Sequence, residues 1–127
     1  MTLVVFSIDN VTDLHTLAKF LHYMDTKRAT MSMKGNLIQC IGSYEGKLEL
    51  SFLVTEEDYR KHVIPSGYID NQESVMVVCE QTYSAYFKSI SSTWYSNPKR
   101  LREVSKKEAM QSEGWTYRPD LDVYWVC

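Results

Sequence analysis

The residue of this chain best placed to do chemistry is the acid in Gln72-Glu73-Ser74-Val75-Met76-Val77-Val78, a carboxylate heading an otherwise apolar, strand-like run. Such a group is either solvated at the strand end or kept half-buried for a cationic partner, because an unpaired buried charge is costly. Its neighbours Gln72 and Ser74 add hydrogen-bonding side chains at the same strand mouth. Nine Tyr and three Trp supply rings that can face a cation or stack on a base, although most must serve as core and interface filler.

Other chemistries lack their residues. There is no GxGxxG or P-loop pattern for dinucleotides or nucleoside triphosphates, and no Gly-x-Ser-x-Gly elbow. Cys40, Cys79 and Cys127 are odd in number and have no CxxC spacing, so they read as reduced thiols of a cytosolic protein. His15, His22 and His62 do not cluster with them, and no metal site is expected.

The elements that must position Glu73 follow from periodicity. Leu3 to Ile8 reads as a first strand. Asn10, Thr12 and Asp13 offer caps for a helix whose apolar stripe is Val11, Leu14, Leu17, Ala18, Leu21 and Met24, with Lys19, Tyr23 and Lys27 toward water. Asn36 to Ser43 and Lys47 to Val54 flank a Tyr44-Glu45-Gly46 turn and form a hairpin. In its second arm Leu48, Leu50, Phe52 and Val54 share a face suited to packing on helices. Lys47, Glu49 and Ser51 share the other, free to meet water, a partner subunit or a ligand.

Thr55-Glu56-Glu57-Asp58 has the form of a capping box, opening a helix that Pro65 and Gly67 must stop early. Glu73 to Cys79 and Tyr83 to Phe87 make two more strands, and Trp115 to Arg118 with Val123 to Val126 an aromatic C-terminal hairpin. This order predicts an α+β fold: a ferredoxin-like βαββαβ antiparallel sheet with helices on one face. Asn97 to Glu113 looks least core-like, with Lys99, Arg100, Arg102, Lys106 and Lys107 in a stretch read as a solvated charged loop or helix.

Size and charge set further bounds. At 127 residues the chain is expected to be a single domain, 1–127, with one modest core. Its net charge of -2 argues against a general nucleic-acid or anionic-membrane binder. No apolar run approaches the ~20 residues that span a bilayer, and the apolar start soon meets Asp9, as a strand would and a signal peptide would not.

Gly42-Ser43-Tyr44, Gln72 to Val77, Leu101-Arg102-Glu103-Val104, Gly114-Trp115-Thr116 and Trp125-Val126 occur in an order that resembles the phage S-adenosylmethionine lyases, formerly called hydrolases. The likeness covers roughly residues 36 to 126. It implies a small cytoplasmic protein that assembles as a homotrimer with ligand sites between subunits. It also implies that the protein takes S-adenosylmethionine as substrate, needs no cofactor, and starves host restriction-modification of its methyl donor. Glu73 stands at the position of the family's substrate-holding carboxylate and Tyr44 at that of its hairpin tyrosine; the implied chemistry makes Tyr44, Tyr59 or Tyr68 the candidate to line the substrate's sulfonium by cation–π contact. The chain departs from the pattern with Ser43 where a cysteine is expected and with a longer cationic segment before Glu113.

The implied reaction needs no protein base. The substrate's carboxylate attacks its own γ-carbon, closing homoserine lactone and releasing methylthioadenosine. Three other readings stay open, one of them a trimeric sensor that binds an adenine nucleotide without reacting, which the same fold allows. A hydrolase would use Glu73 to activate water. A non-enzymatic inhibitor of a host protein would use the acidic run Glu45, Glu49, Glu56, Glu57 and Asp58.

Overall fold

Strands dominate wherever branched and aromatic residues recur, as their crowding at χ1 favours the extended chain. The computed structural model describes residues 1–9, 13–30 and 32–127. Its elements are β1 (Thr2–Phe6), α1 (Leu14–Ala29), β2 (Ile38–Tyr44), β3 (Lys47–Thr55), α2 (Glu56–Asp58), a π-helical turn (Tyr59–Val63) and α3 (Ile64–Ser66). There follow β4 (Ser74–Cys79), β5 (Ser84–Ser89), β6 (Lys99–Arg100), β7 (Arg102–Val104), α4 (Lys106–Met110), β8 (Gly114–Arg118) and β9 (Val123–Val126). The expected α+β class, the helices over one face and the C-terminal hairpin are all present.

The sheet is larger than expected. Its order is β6-β5-β4-β1-β3-β2-β8-β9-β7, and every pairing is antiparallel. The strands at the two ends of that order, β6 and β7, are separated in the chain by Leu101 alone. One residue spans less than 4 Å of chain, so the sheet must curl until its edges meet, giving a nearly closed barrel. Leu101 is buried at the seam, and its N–H donates to the Tyr83 carbonyl at 2.9 Å. The segment expected to be a solvated charged loop is therefore the closure of the barrel: its cations point outward while one leucine points in.

Alternation along each strand divides the core in two. Val4, Phe6 and Ile8 face outward with Phe52 and Val54, and the helices cover them with Phe20, Met24, Tyr59 and Val63. Leu3 and Val5 face inward with Leu53, Met76, Val78, Leu101 and Trp125. On α1 the buried stripe is centred on Phe20 and Met24, whereas Leu14 is exposed and Tyr23 turns in to donate to the His62 carbonyl at 2.8 Å. The expected stripe was rotated because it omitted Phe20, the largest apolar side chain on the helix. Asp13 is the cap, accepting from His15 N and Thr16 Oγ1, both at 3.0 Å. Asn10, Val11 and Thr12 lie outside the described residues.

Thr55 caps α2 as expected, accepting from Asp58 N at 3.2 Å. Helical structure runs through Pro65 and stops at Gly67, whose φ of +78° a residue with a Cβ adopts only under strain.

Candidate functional site at the mouth of the barrel

The inward positions shrink toward one end of the barrel. Beyond Leu3 and Val5 comes Ser7, beyond Leu53 comes Ser51, and beyond Cys40 on β2 comes Gly42. A barrel of about eight strands is just wide enough for side chains to fill. Small residues at one level therefore leave space, and a cavity of about 620 Å³ opens there. That lies within the roughly 300–1,000 Å³ of small-molecule sites. Val5, Met76, Leu101 and Trp125 form its apolar depth, and the Ser7 and Ser51 hydroxyls, 3.3 Å apart, bond to each other on its wall.

Glu73 lies at the rim of this cavity, just before β4. Three contacts hold its loop. Asp9 accepts from the Asn71 N–H at 3.1 Å and from the Gln72 side-chain amide at 2.9 Å, and the Glu73 carbonyl accepts from Ile90 N at 3.3 Å. Glu73 itself is exposed. Of the expected site residues, Tyr44, Gln72, Glu73 and Ser74 line the cavity. Gln72 spends its amide on Asp9, which makes it a positioning group for the loop.

Tyr59 and Tyr68 are elsewhere. Tyr59 is 7% exposed in the outer core with its ring 6.0 Å from Phe6, and Tyr68 packs edge-on to Phe20 at 5.4 Å. Neither lines the cavity. Both belong to the helical crossover between β3 and β4, which packs on the outside of the sheet.

Glu49, read from the sequence only as part of an open strand face and an acidic run, is also at the site. It lies opposite Gly42 in the β2–β3 ladder and lines the same cavity. The signal was present in the Lys47, Glu49, Ser51 face, and what was missing was that this face looks into a barrel. Phe87, Trp94 and Trp115 also line the mouth, and Trp94 is 59% exposed. Among the described residues lining the cavity there are two acidic side chains and no Lys, Arg or His, and neither Glu49 nor Glu73 is in an ion pair. Nearby, Glu113 and Glu45 raise the pKa of the Tyr44 phenol, keeping that ring neutral.

Below the cavity a polar cluster closes the barrel. The Tyr83 phenol donates to Glu103 at 2.6 Å, and burial first, then that bond, pushes its pKa up to about 12. Trp125 lies edge-on to Tyr83 and beneath the Arg118 guanidinium, which is clamped by Asp120 at 3.2 and 2.6 Å. The buried Trp125 indole N–H has no hydrogen-bond partner among the described residues. Cys40, buried in the same interior, has its thiol pushed up to about 11 by burial.

The fold and site define a class: a small, nearly closed antiparallel barrel with a small-molecule-sized, acid-rimmed cavity whose lining holds no Lys, Arg or His among the described residues. The S-Adenosylmethionine lyase family model matches residues 8–127, and the chain belongs to that family. The comparison with curated proteins finds no match. Membership makes S-adenosylmethionine the implied substrate and lyase the implied activity. No helix among the described residues is long and apolar enough to cross a membrane.

Proposed function

We propose that the protein cleaves S-adenosylmethionine into methylthioadenosine and homoserine lactone, with Glu73 as the group that holds the substrate ammonium. The observation that carries this reading is an unpaired carboxylate at the rim of a substrate-sized cavity whose lining holds no cation. A carboxylate oxygen of the substrate forms a bond to its own γ-carbon, and the carbon–sulfur bond breaks with its electron pair going to sulfur. The sulfonium becomes a neutral thioether, the carboxylate a lactone, and the ammonium leaves unchanged on the lactone. The attacking anion and the departing cation cancel in the transition state, so a site drier than water favours the step. Holding the folded conformer contributes on the order of 7–11 kcal/mol. By pairing with the ammonium, Glu73 keeps it from the reacting carboxylate, and Tyr44 is the ring assigned to the sulfonium, a reading supported by its being the one of the three candidate tyrosines that lines the cavity.

Depletion of the methyl donor of host restriction-modification, in the host cytoplasm, follows from this activity. We further infer a homotrimer with sites between subunits. It is supported by the open mouth and by the exposed apolar side chains beside it, Tyr44 at 62% and Leu48 at 72%. We read the β4-β1-β3-β2 portion with its two helical crossovers as a ferredoxin-like centre extended on both sides, a reading supported by that strand order.

The inhibitor reading draws less support. Asp58 is buried and accepts from Lys34 N and Gly35 N, Glu57 pairs with Lys61, and Glu49 lines the cavity. The acidic run therefore forms no continuous surface. Incubation with S-adenosylmethionine followed by mass spectrometry tests the proposal. Methylthioadenosine from the native protein and none from Glu73→Gln is the expected pair, and equal release from both removes Glu73 from the reaction.

A further inference from the structure

The orientation of the substrate in the barrel can be argued from charge. An S-adenosylmethionine molecule has one end carrying carboxylate and ammonium and another end, the nucleoside, that is neutral. The cavity is walled by Val5, Met76, Leu101 and Trp125 with the Ser7–Ser51 hydroxyl pair; no Lys, Arg or His lines it among the described residues, and Arg118, behind Trp125, already has Asp120 as its counter-charge. A carboxylate pushed into it would be stranded without a counter-charge. The neutral end can enter and have its polar edge met by hydroxyls.

The second carboxylate then has a definite task. Glu49 on β3 and Glu73 at the head of β4 flank the central β1, so they stand about two strand spacings, roughly 10 Å, apart. One ammonium cannot use both. A carboxylate pressed on the sulfonium would stabilise a charge that vanishes in the transition state and would slow the reaction. The substrate's other donors are the vicinal ribose hydroxyls and the adenine amine; the hydroxyls lie nearer the ammonium and are the pair that a carboxylate accepts with both oxygens. Gly42, opposite Glu49, keeps the space beside it open: a Cβ there would approach Ser51 Oγ to 3.2 Å.

We propose that the barrel interior is the nucleoside slot of the site, with Glu49 accepting the ribose hydroxyls and Gly42 and the Ser7–Ser51 pair shaping the room for the base. The proposal rests on the lyase reading for the identity of the substrate, and its test separates the two. Turnover is measured for native protein and Glu49→Gln with S-adenosylmethionine and with its 2′,3′-dideoxyribose analogue. Native protein should lose about ten- to a hundredfold in kcat/KM on the analogue, the scale of hydrogen bonds to a charged group, chiefly through KM. Glu49→Gln should lose a similar factor on the natural substrate and little more on the analogue. A native-like Glu49→Gln, or an equal analogue penalty in both proteins, overturns the assignment.

A binding arm reads the slot without turnover. Trp94, Trp115 and Trp125 line the cavity, so adenosine should quench native fluorescence and methionine should not. Gly42→Ala, checked for an unchanged circular dichroism spectrum, should weaken adenosine binding about tenfold, as a misplaced hydrogen bond would. Adenosine binding without cleavage of S-adenosylmethionine supports the slot while removing the lyase reading. Cleavage with no adenosine binding in the native protein overturns the slot alone.

Discussion

The two sides of the same strands were put to opposite uses. On the outer side, Phe6 and Phe52 stack with Phe20 from α1 at centroid distances of 5.2 to 6.0 Å, and no space remains. On the inner side, at the same height, the neighbouring positions are Ser7 and Ser51, and a cavity of about 620 Å³ remains. A strand residue and its neighbour differ only in which way they point. The alternation of large apolar with small hydroxylated residues is thus what lets one sheet be both a packed scaffold and a container. The rule this teaches is that the outer face sets stability and the inner face sets binding.

That division can be broken by mutation. The largest effect is expected from the rim: Glu73→Gln should lower turnover at least a thousandfold while leaving unfolding within about 0.5 kcal/mol of native, as a surface change does. Both quantities are read by product mass spectrometry and urea melts. On the packed side the pattern should invert. Phe20→Ala should cost about 3–5 kcal/mol of stability, and its folded fraction should keep native turnover at low temperature. Ser51→Val, which places methyl groups in the cavity and removes the Ser7 partner, should weaken substrate binding about tenfold and change stability by under about 1.5 kcal/mol.

The smallest effect concerns alkali. Cys40 is held near 11 from its ordinary 9.0, and Tyr83 near 12 from its ordinary 10.0. In both cases the folded group keeps its proton after the unfolded group has lost it. Stability is therefore intact below pH 9 and falls as pH rises from about 9 toward 12. Cys40→Ala should shallow the first part of that fall, between about pH 9 and 11, in chemical melts run at fixed pH.

Much of the scaffold was legible because it depends on local pattern. The Thr55 cap, the Glu45–Gly46 hairpin turn, where both residues have positive φ, and the aromatic C-terminal hairpin each follow from a few adjacent residues. Closure of the barrel was not legible, because it joins β6 and β7 through Leu101, one apolar residue inside a run of cations. The site divided along the same line. Glu73, Tyr44, Gln72 and Ser74, expected from the strand mouth and the hairpin, line the cavity. Tyr59 and Tyr68 do not, because a helical crossover carries them to the outer side. Glu49 was not singled out, because only closure of the sheet turns its face toward a cavity.

The account stands most directly on the fate of oxygen during cleavage. The reaction is run in ¹⁸O-labelled water and quenched within the first turnovers. Methylthioadenosine should appear together with unlabelled homoserine lactone, and homoserine only later as the lactone opens. Labelled homoserine formed at the outset, with no lactone before it, would contradict self-displacement by the substrate and assign water as the nucleophile.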